Sequence, residues 1–228
     1  IMVYQAYNPT TKVLTVKRGA LDTVPQKHLS GNTFFFYDAY PSFDTTQYVD
    51  GETVNAKSLT TTPSSVLNIA DASELPLEFN ARAIRPYPPA NVKINGSYYP
   101  VEIDSDLILT WVDRNRLQQT GGDILGWLDG GVAIENGAEY IIEVVDANNN
   151  IVSTTNVGSV NSYDVDYSVV ETEYIKVRIY SVRDAYQSYQ IFEHTMQNLN
   201  FLNKPKNLTA EFTGNYSPEN LTAEFYNE

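Results

Sequence analysis

The 228-residue chain contains no cysteine, and only two histidines, two methionines and two tryptophans. Without cysteine there is neither a disulfide framework nor a thiolate metal site. His28 and His194 are the only imidazoles. A Ser–His–Asp or Cys–His centre therefore has almost nothing to be built from, and no Gly-x-Ser-x-Gly elbow accompanies either residue. No run approaches the ~20 apolar residues of a membrane-spanning helix, and no secretory pattern opens the chain. Cations are scarce: 15 Lys and Arg stand against 28 Asp and Glu, a net charge of −13. Phosphate neutralisation needs clustered Lys and Arg, so nucleic acid is not an expected partner. The chain begins at Ile1 rather than Met, and we expect a piece of a longer protein.

What is present suffices for a core. Hydrophobic residues make up 42% and charged residues 19%, outside the range of disordered chains. The charge is unevenly spread. Residues 1–85 carry eight acids against seven bases, whereas residues 86–200 carry sixteen against six. The shift falls at "RPYPPANVKING", where Pro86, Pro88 and Pro89 place three of the 11 prolines in four positions. Proline fixes φ and removes a backbone donor, which argues for a stiff connector over 86–89.

Nearly every apolar run alternates with period two, the signature of half-buried strands. "KVLTVKRG", "TFFFYDAY", "ETVNAKSLTTT" and "LPLEFNARA" give a small β-rich domain over 1–85. Asp22 to Gly31 reads as one helical turn, with Asp22 or Thr23 capping it. In the second half, Leu107, Leu109 and Trp111 share one strand face, as do Tyr140, Ile142 and Val144, and then Ile175, Val177 and Ile179. "DANNN" at 146–150 is a hairpin turn, and Gln187 to Met196 reads as a closing strand. Seven short strands in about 110 residues predict an immunoglobulin-like sandwich over 90–200, cored by Trp111. The whole chain is expected to be all-β.

Leu107-x-Leu109-x-Trp111, Tyr140-x-Ile142-x-Val144 and "YIKVRIYSV" resemble strands B, C and F of a fibronectin type III module, and "PPANV" resembles its entry strand. The resemblance implies a tyrosine corner, whose phase falls on Glu173 rather than Tyr174, so the module is atypical or its strand F starts with a bulge. A second resemblance bears on function. Arg18, Gly19, Leu21, Asp22, Thr23, Pro25, His28 and Gly31 are followed by the proline-rich joint, and then by Trp111, Arg114 and Arg116. That order resembles the distal part of tail tip or baseplate-hub proteins of long-tailed phages and prophages. The resemblance implies a non-enzymatic virion component. It would assemble in the bacterial cytoplasm with other tail proteins and with sister subunits around the tail axis, threefold, near the host-contact end.

The chemistry-bearing candidates are few. Glu102, Asp104 and Asp106, and Asp164 with Asp166, could coordinate calcium or serve a glycosidase. Solvated edge charges that discourage strand pairing are the simpler account. His28 is expected to fix its turn through a backbone hydrogen bond. No cofactor, metal or catalytic residue is expected. The connection from 112 to 139 holds six of the 12 glycines together with Arg114, Arg116 and Trp127. Long loops of this kind are often binding elements. These three residues are the candidate interaction loop, which would contact a partner, a host glycan or a receptor. The other account has Trp127 capping the core, with the arginines pairing Asp113 or Asp123. "PKNLTAEF" (Pro205 to Phe212) returns as "PENLTAEF" (Pro218 to Phe225). Residues 201–228 cannot bury a core of their own and are expected to pair between subunits. The sequons at Asn95, Asn207, Asn215 and Asn220 are incidental in a phage setting.

Overall fold

Most of the runs that alternate with period two become strand. The structure is a computed structural model and describes residues 1–37, 45–118 and 123–202. The C-terminal repeat, its three sequons, Asp38 to Tyr40 of the "TFFFYDAY" strand, and Gly121 and Gly122 lie outside the described residues. In chain order the strands are β1 (Met2–Asn8), β2 (Val13–Arg18), β3 (Thr53–Lys57), β4 (Glu74–Glu78), β5 (Ala90–Ile94) and β6 (Glu102–Ile103). They continue as β7 (Leu107–Val112), β8 (Glu139–Asp146), β9 (Ile151–Gly158), β10 (Ser162–Val165), β11 (Tyr174–Arg183), β12 (Tyr186–Gln187) and β13 (Phe192–Asn198). A single helical turn, α1 (Leu199–Leu202), follows.

The chain divides into two compact units. One joins Ile1–Val24 to the chain from Pro86 onward; the other is Pro25–Arg85. The expected domain over 1–85 is thus corrected at its N-terminal end. The first 24 residues belong with the sandwich because they are bonded into it. The Val24 amide donates to the Gln190 side-chain oxygen at 2.8 Å, and the Val24 side chain packs on the sandwich core. Asp22 and Thr23 are buried in a turn, not a helix: the Thr23 hydroxyl donates to the Ala20 carbonyl at 2.6 Å. His28 is exposed, and no hydrogen bond to it occurs among the described residues.

The proline run also departs from expectation. The unit boundary does fall at Arg85 and Pro86, but Pro86, Pro88 and Pro89 are buried rather than strung out as a connector. The Ser181 hydroxyl donates to the Tyr87 carbonyl at 2.7 Å and ties the run to β11. A proline-rich segment has few donors to satisfy, so it can lie against the end of a sheet at little desolvation cost.

The sandwich has two sheets. One has the order β10-β7-β5; the other runs β6-β13-β11-β8-β9, with β12 attached to β11. All pairings are antiparallel except the short β6–β13 contact. This distribution is that of an immunoglobulin-like sandwich. Leu107, Leu109, Ile175, Val177 and Ile179 are fully buried, with Tyr140, Ile142 and Val144 beside them. Each fully buried side chain of this size contributes roughly 1.5–3 kcal/mol. Trp111 meets Tyr140 edge to face, with centroids 5.4 Å apart. The turn after β8 is held by Asp146, whose carboxylate accepts from the amides of Asn148 and Asn150, both at 2.8 Å.

β11 keeps its register against both neighbours without a bulge. Neither Glu173 nor Tyr174 is an anchor, and Tyr174 is exposed. Tyr167 takes that part seven residues before β11. Its ring is buried, and its hydroxyl donates to the Ser105 carbonyl and accepts from the Asn200 amide at 2.7 Å.

The second unit is built differently. β3 and β4 form a two-stranded sheet in which Val54 faces Leu77 and Ala56 faces Leu75. The opposite face is polar: Lys57 pairs with Glu74 at 3.3 Å, and Asn55 donates to Glu74 at 3.0 Å. Tyr48 stacks on Phe79 with centroids 4.4 Å apart. Among its described residues, Ala72 is the only buried hydrophobic. Thr33 to Tyr37, expected to be strand, pairs with no strand among the described residues. Phe34, Phe35, Phe36 and Tyr37 are 59%, 81%, 64% and 77% exposed.

Candidate functional site

In the connection between β7 and β8, Arg114, Trp127 and Glu135 turn inward. Arg114 is buried. Its guanidinium donates to the Leu125 carbonyl at 2.9 Å and to the Gly126 carbonyl. Burial lowers its pKa to about 10, against the opposing pull of Asp129 and Tyr140. Trp127 is 6% exposed and stacks on Phe192 in the core. Arg116 donates to Glu135 at 2.8 Å, and Arg183 bonds to the same carboxylate oxygen. Two cations therefore share one buried anion.

Arg114 and Trp127 are buried, which removes them as exposed contacts, while Arg116 keeps a partly exposed side chain against Glu135. Trp127 caps the core. The arginines do not take Asp113 or Asp123 as partners. Asp113 instead accepts from the Tyr140 phenol at 2.8 Å and from the Asn161 amide at 2.6 Å.

What the loop does bind is the β1–β2 hairpin. The Trp127 amide donates to the Arg18 carbonyl at 2.6 Å, and Lys17 pairs with Asp129 at 2.8 Å. Asp129 also accepts from the Gly126 amide at 2.8 Å. Its pKa is held low, first by the Lys17 hydrogen bond and then by the Gly126 amide. Lys17 and Arg18 thus meet the loop at Trp127 and Asp129, and Arg114 holds that stretch through the Gly126 carbonyl. Asp129 at this junction, and Glu135 beside Arg116, were not singled out from sequence. Both are lone acids in a glycine-rich stretch, and nothing local marks them.

Gly126 sets the closeness of that junction. A Cβ there would lie 2.7 Å from Lys17 Cβ and 3.3 Å from the Arg18 carbonyl oxygen. Gly126→Ala is expected to push the hairpin off and cost about 1–3 kcal/mol, as overpacking does. A lowered denaturant midpoint checks this.

A second concave feature lies at one end of the sandwich. It encloses about 610 Å³ and is lined by Asp106, Asp164, Asp166, Tyr167, Asn200 and Phe201, among others. Asp166 is spoken for: it accepts from the Ser168 amide at 2.9 Å and from the Ser168 hydroxyl at 2.7 Å. No group of three His, Cys, Asp or Glu among the described residues is arranged to hold a metal ion. The cavity offers carboxylates, an amide and an aromatic ring, in the volume range of small-molecule sites. No protein-family model and no curated protein matches this chain. No helix among the described residues is long and apolar enough to cross a membrane.

The buried phenols make a pH prediction. Burial raises Tyr140 strongly, with Asp113 adding to the effect. Burial and the hydrogen bond to Glu143 push Tyr180 up to about 12. Unfolded tyrosine titrates near ~10, so the folded chain holds protons that the unfolded chain has released. Stability is therefore unaffected below that value and falls as pH rises above about 10. Urea midpoints measured from pH 8 to 11.5 check this, and Tyr180→Phe is expected to flatten the decline.

Proposed function

We propose that this chain is a structural, non-enzymatic part of a long-tailed phage or prophage tail tip or baseplate, acting by protein–protein assembly near the host-contact end. Its site of action would be the virion, after assembly in the bacterial cytoplasm beside other tail proteins and sister subunits, in threefold arrangement. The observation that carries the reading is the uncovered apolar surface of residues 25–85. A two-stranded sheet is marginal alone, and a unit of this size needs a core. Yet Leu29, Phe35, Val49, Ile69 and Leu75 are all more than 60% exposed. Apolar surface on that scale marks contact with another polypeptide. The order of the Arg18–Gly31 and Trp111–Arg116 motifs supports the tail setting. The test is the mass of the purified chain in solution, and its retention at the tip of purified tails by antibody labelling. A multiple of the single-chain mass with label at the tip supports the reading. A monomer at tens of micromolar and unlabelled tails overturn it.

A second reading, a carbohydrate- or receptor-binding accessory module, loses Arg114 and Trp127 as contacts but has the end cavity. Asp106, Asp164 and Asn200 there could accept and donate to sugar hydroxyls beside Phe201. Glycan-array binding abolished by Asn200→Ala would favour it.

A further inference from the structure

Two Asn–Gly pairs occur in the sequence, Asn95-Gly96 and Asn136-Gly137. Asparagine before glycine is the arrangement most open to loss of the side-chain amide, because glycine has no side chain to shield its backbone nitrogen. That nitrogen, giving up its proton, attacks the asparagine Cγ; ammonia leaves, and a five-membered imide closes. Water then opens the ring. Breaking the bond from Cγ to the nitrogen yields aspartate. Breaking the bond from the main-chain carbonyl yields isoaspartate, which carries an extra carbon in the backbone. No reagent besides water is needed. The asparagine side chain must be able to swing over the following peptide, so the fold decides which pair reacts.

The two pairs sit in different turns. Asn95 and Gly96 have φ of 48° and 78°, and the amides of Ile94 and Ser97 each donate to the other's carbonyl at 2.9 Å. This is a type I′ hairpin turn. The Asn95 side chain is pinned at both of its polar atoms. Its amide donates to the Asp106 carbonyl at 2.6 Å, and its oxygen accepts from the Ile108 amide at 2.8 Å. Asn136 and Gly137 occupy the middle of a type II turn, with Gly137 at φ 78° and the Ala138 amide donating to the Glu135 carbonyl at 2.9 Å. Asn136 is exposed, and no hydrogen bond to its side chain occurs among the described residues. We infer that Asn136 deamidates in the folded chain whereas Asn95 is locked against it. Asn95 reacts only after both of its side-chain bonds open, and two bonds of ordinary net strength slow that step about ten- to a hundred-fold. The 135–138 turn carries Glu135, which holds Arg116 and Arg183. Either product sets a new carboxylate next to that buried anion, and isoaspartate also lengthens the chain between Glu135 and the start of β8. Neither turn belongs to the Pro25–Arg85 unit, so this chemistry does not depend on what that unit contacts.

The test holds the purified chain in mildly alkaline buffer, natively and in urea. The peptides containing each pair are followed by mass spectrometry together with an isoaspartate assay. In the native chain, product at 136 is expected to form about ten-fold or more faster than at 95, and in urea the two rates are expected to be comparable. Asn136→Gln, which would have to close a less favourable six-membered ring, is expected to abolish the native product and leave Asn95 intact. Comparable native rates at the two positions, or a faster Asn95, would show that the side-chain bonds do not lock the hairpin turn, and overturn the inference. A native chain in which neither position reacts, while both react in urea, would show that the 135–138 turn shields Asn136, and overturns it equally.

Discussion

Replacing Trp111 with alanine is expected to lower the unfolding free energy by about 3–5 kcal/mol, the range for truncating a buried Trp. The side chain is 4% exposed and lies among Leu109, Tyr140 and Trp127 in one continuous core. Alanine leaves a void between two sheets, whose register is fixed by long ladders and cannot collapse to fill it. Trp111→Phe separates volume from polarity. The Trp111 Nε1 is buried and has no hydrogen-bond partner among the described residues, so Phe removes an unpaired donor along with part of the ring. A markedly smaller loss for Phe than for Ala is the expected result by urea denaturation. Equal losses would mean that the indole nitrogen is paired after all.

Glu135→Ala is expected to cost as much, about 3–5 kcal/mol, for an electrostatic reason. The carboxylate is 3% exposed and holds both Arg116 and Arg183. Its removal leaves Arg116 without a carboxylate in a half-buried site, while Arg183 keeps Asp184 at 3.1 Å. Glu135→Gln keeps the shape and an acceptor but not the charge, and is expected to fall between. A double variant, Glu135→Ala with Arg116→Met, is expected to recover part of the loss, because it removes the cation left without a carboxylate. Full additivity of the two changes would show that they do not act through one another.

The sandwich was legible because its signal is local. Leu107, Leu109 and Trp111 declare an inward face by spacing alone, and all three are buried. Other features depended on distant partners. Tyr167 is an anchor only because Ser105 lies within reach of its hydroxyl, 62 residues away in sequence. The proline run reads the same whether it is strung out or packed, and only the bond from Ser181 to Tyr87 decides. The boundary after Val24 leaves no mark in composition, since it is set by contacts with distant partners, Gln190, Trp127 and Asp129. The loop arginines were noticed for the right reason, as cations in an acidic half. Their partners, two peptide carbonyls and Glu135, could not be named without coordinates.

Val24 and Tyr87 flank the second unit, and both are tethered to one corner of the sandwich, through Gln190 and Ser181. Ser188 links these two anchors, because it donates to the Gln190 carbonyl and its amide reaches Ser181. The intervening 61 residues are therefore a graft with both stems on a single post. Such a graft can be lengthened, shortened or traded between lineages while the host scaffold keeps every one of its core contacts.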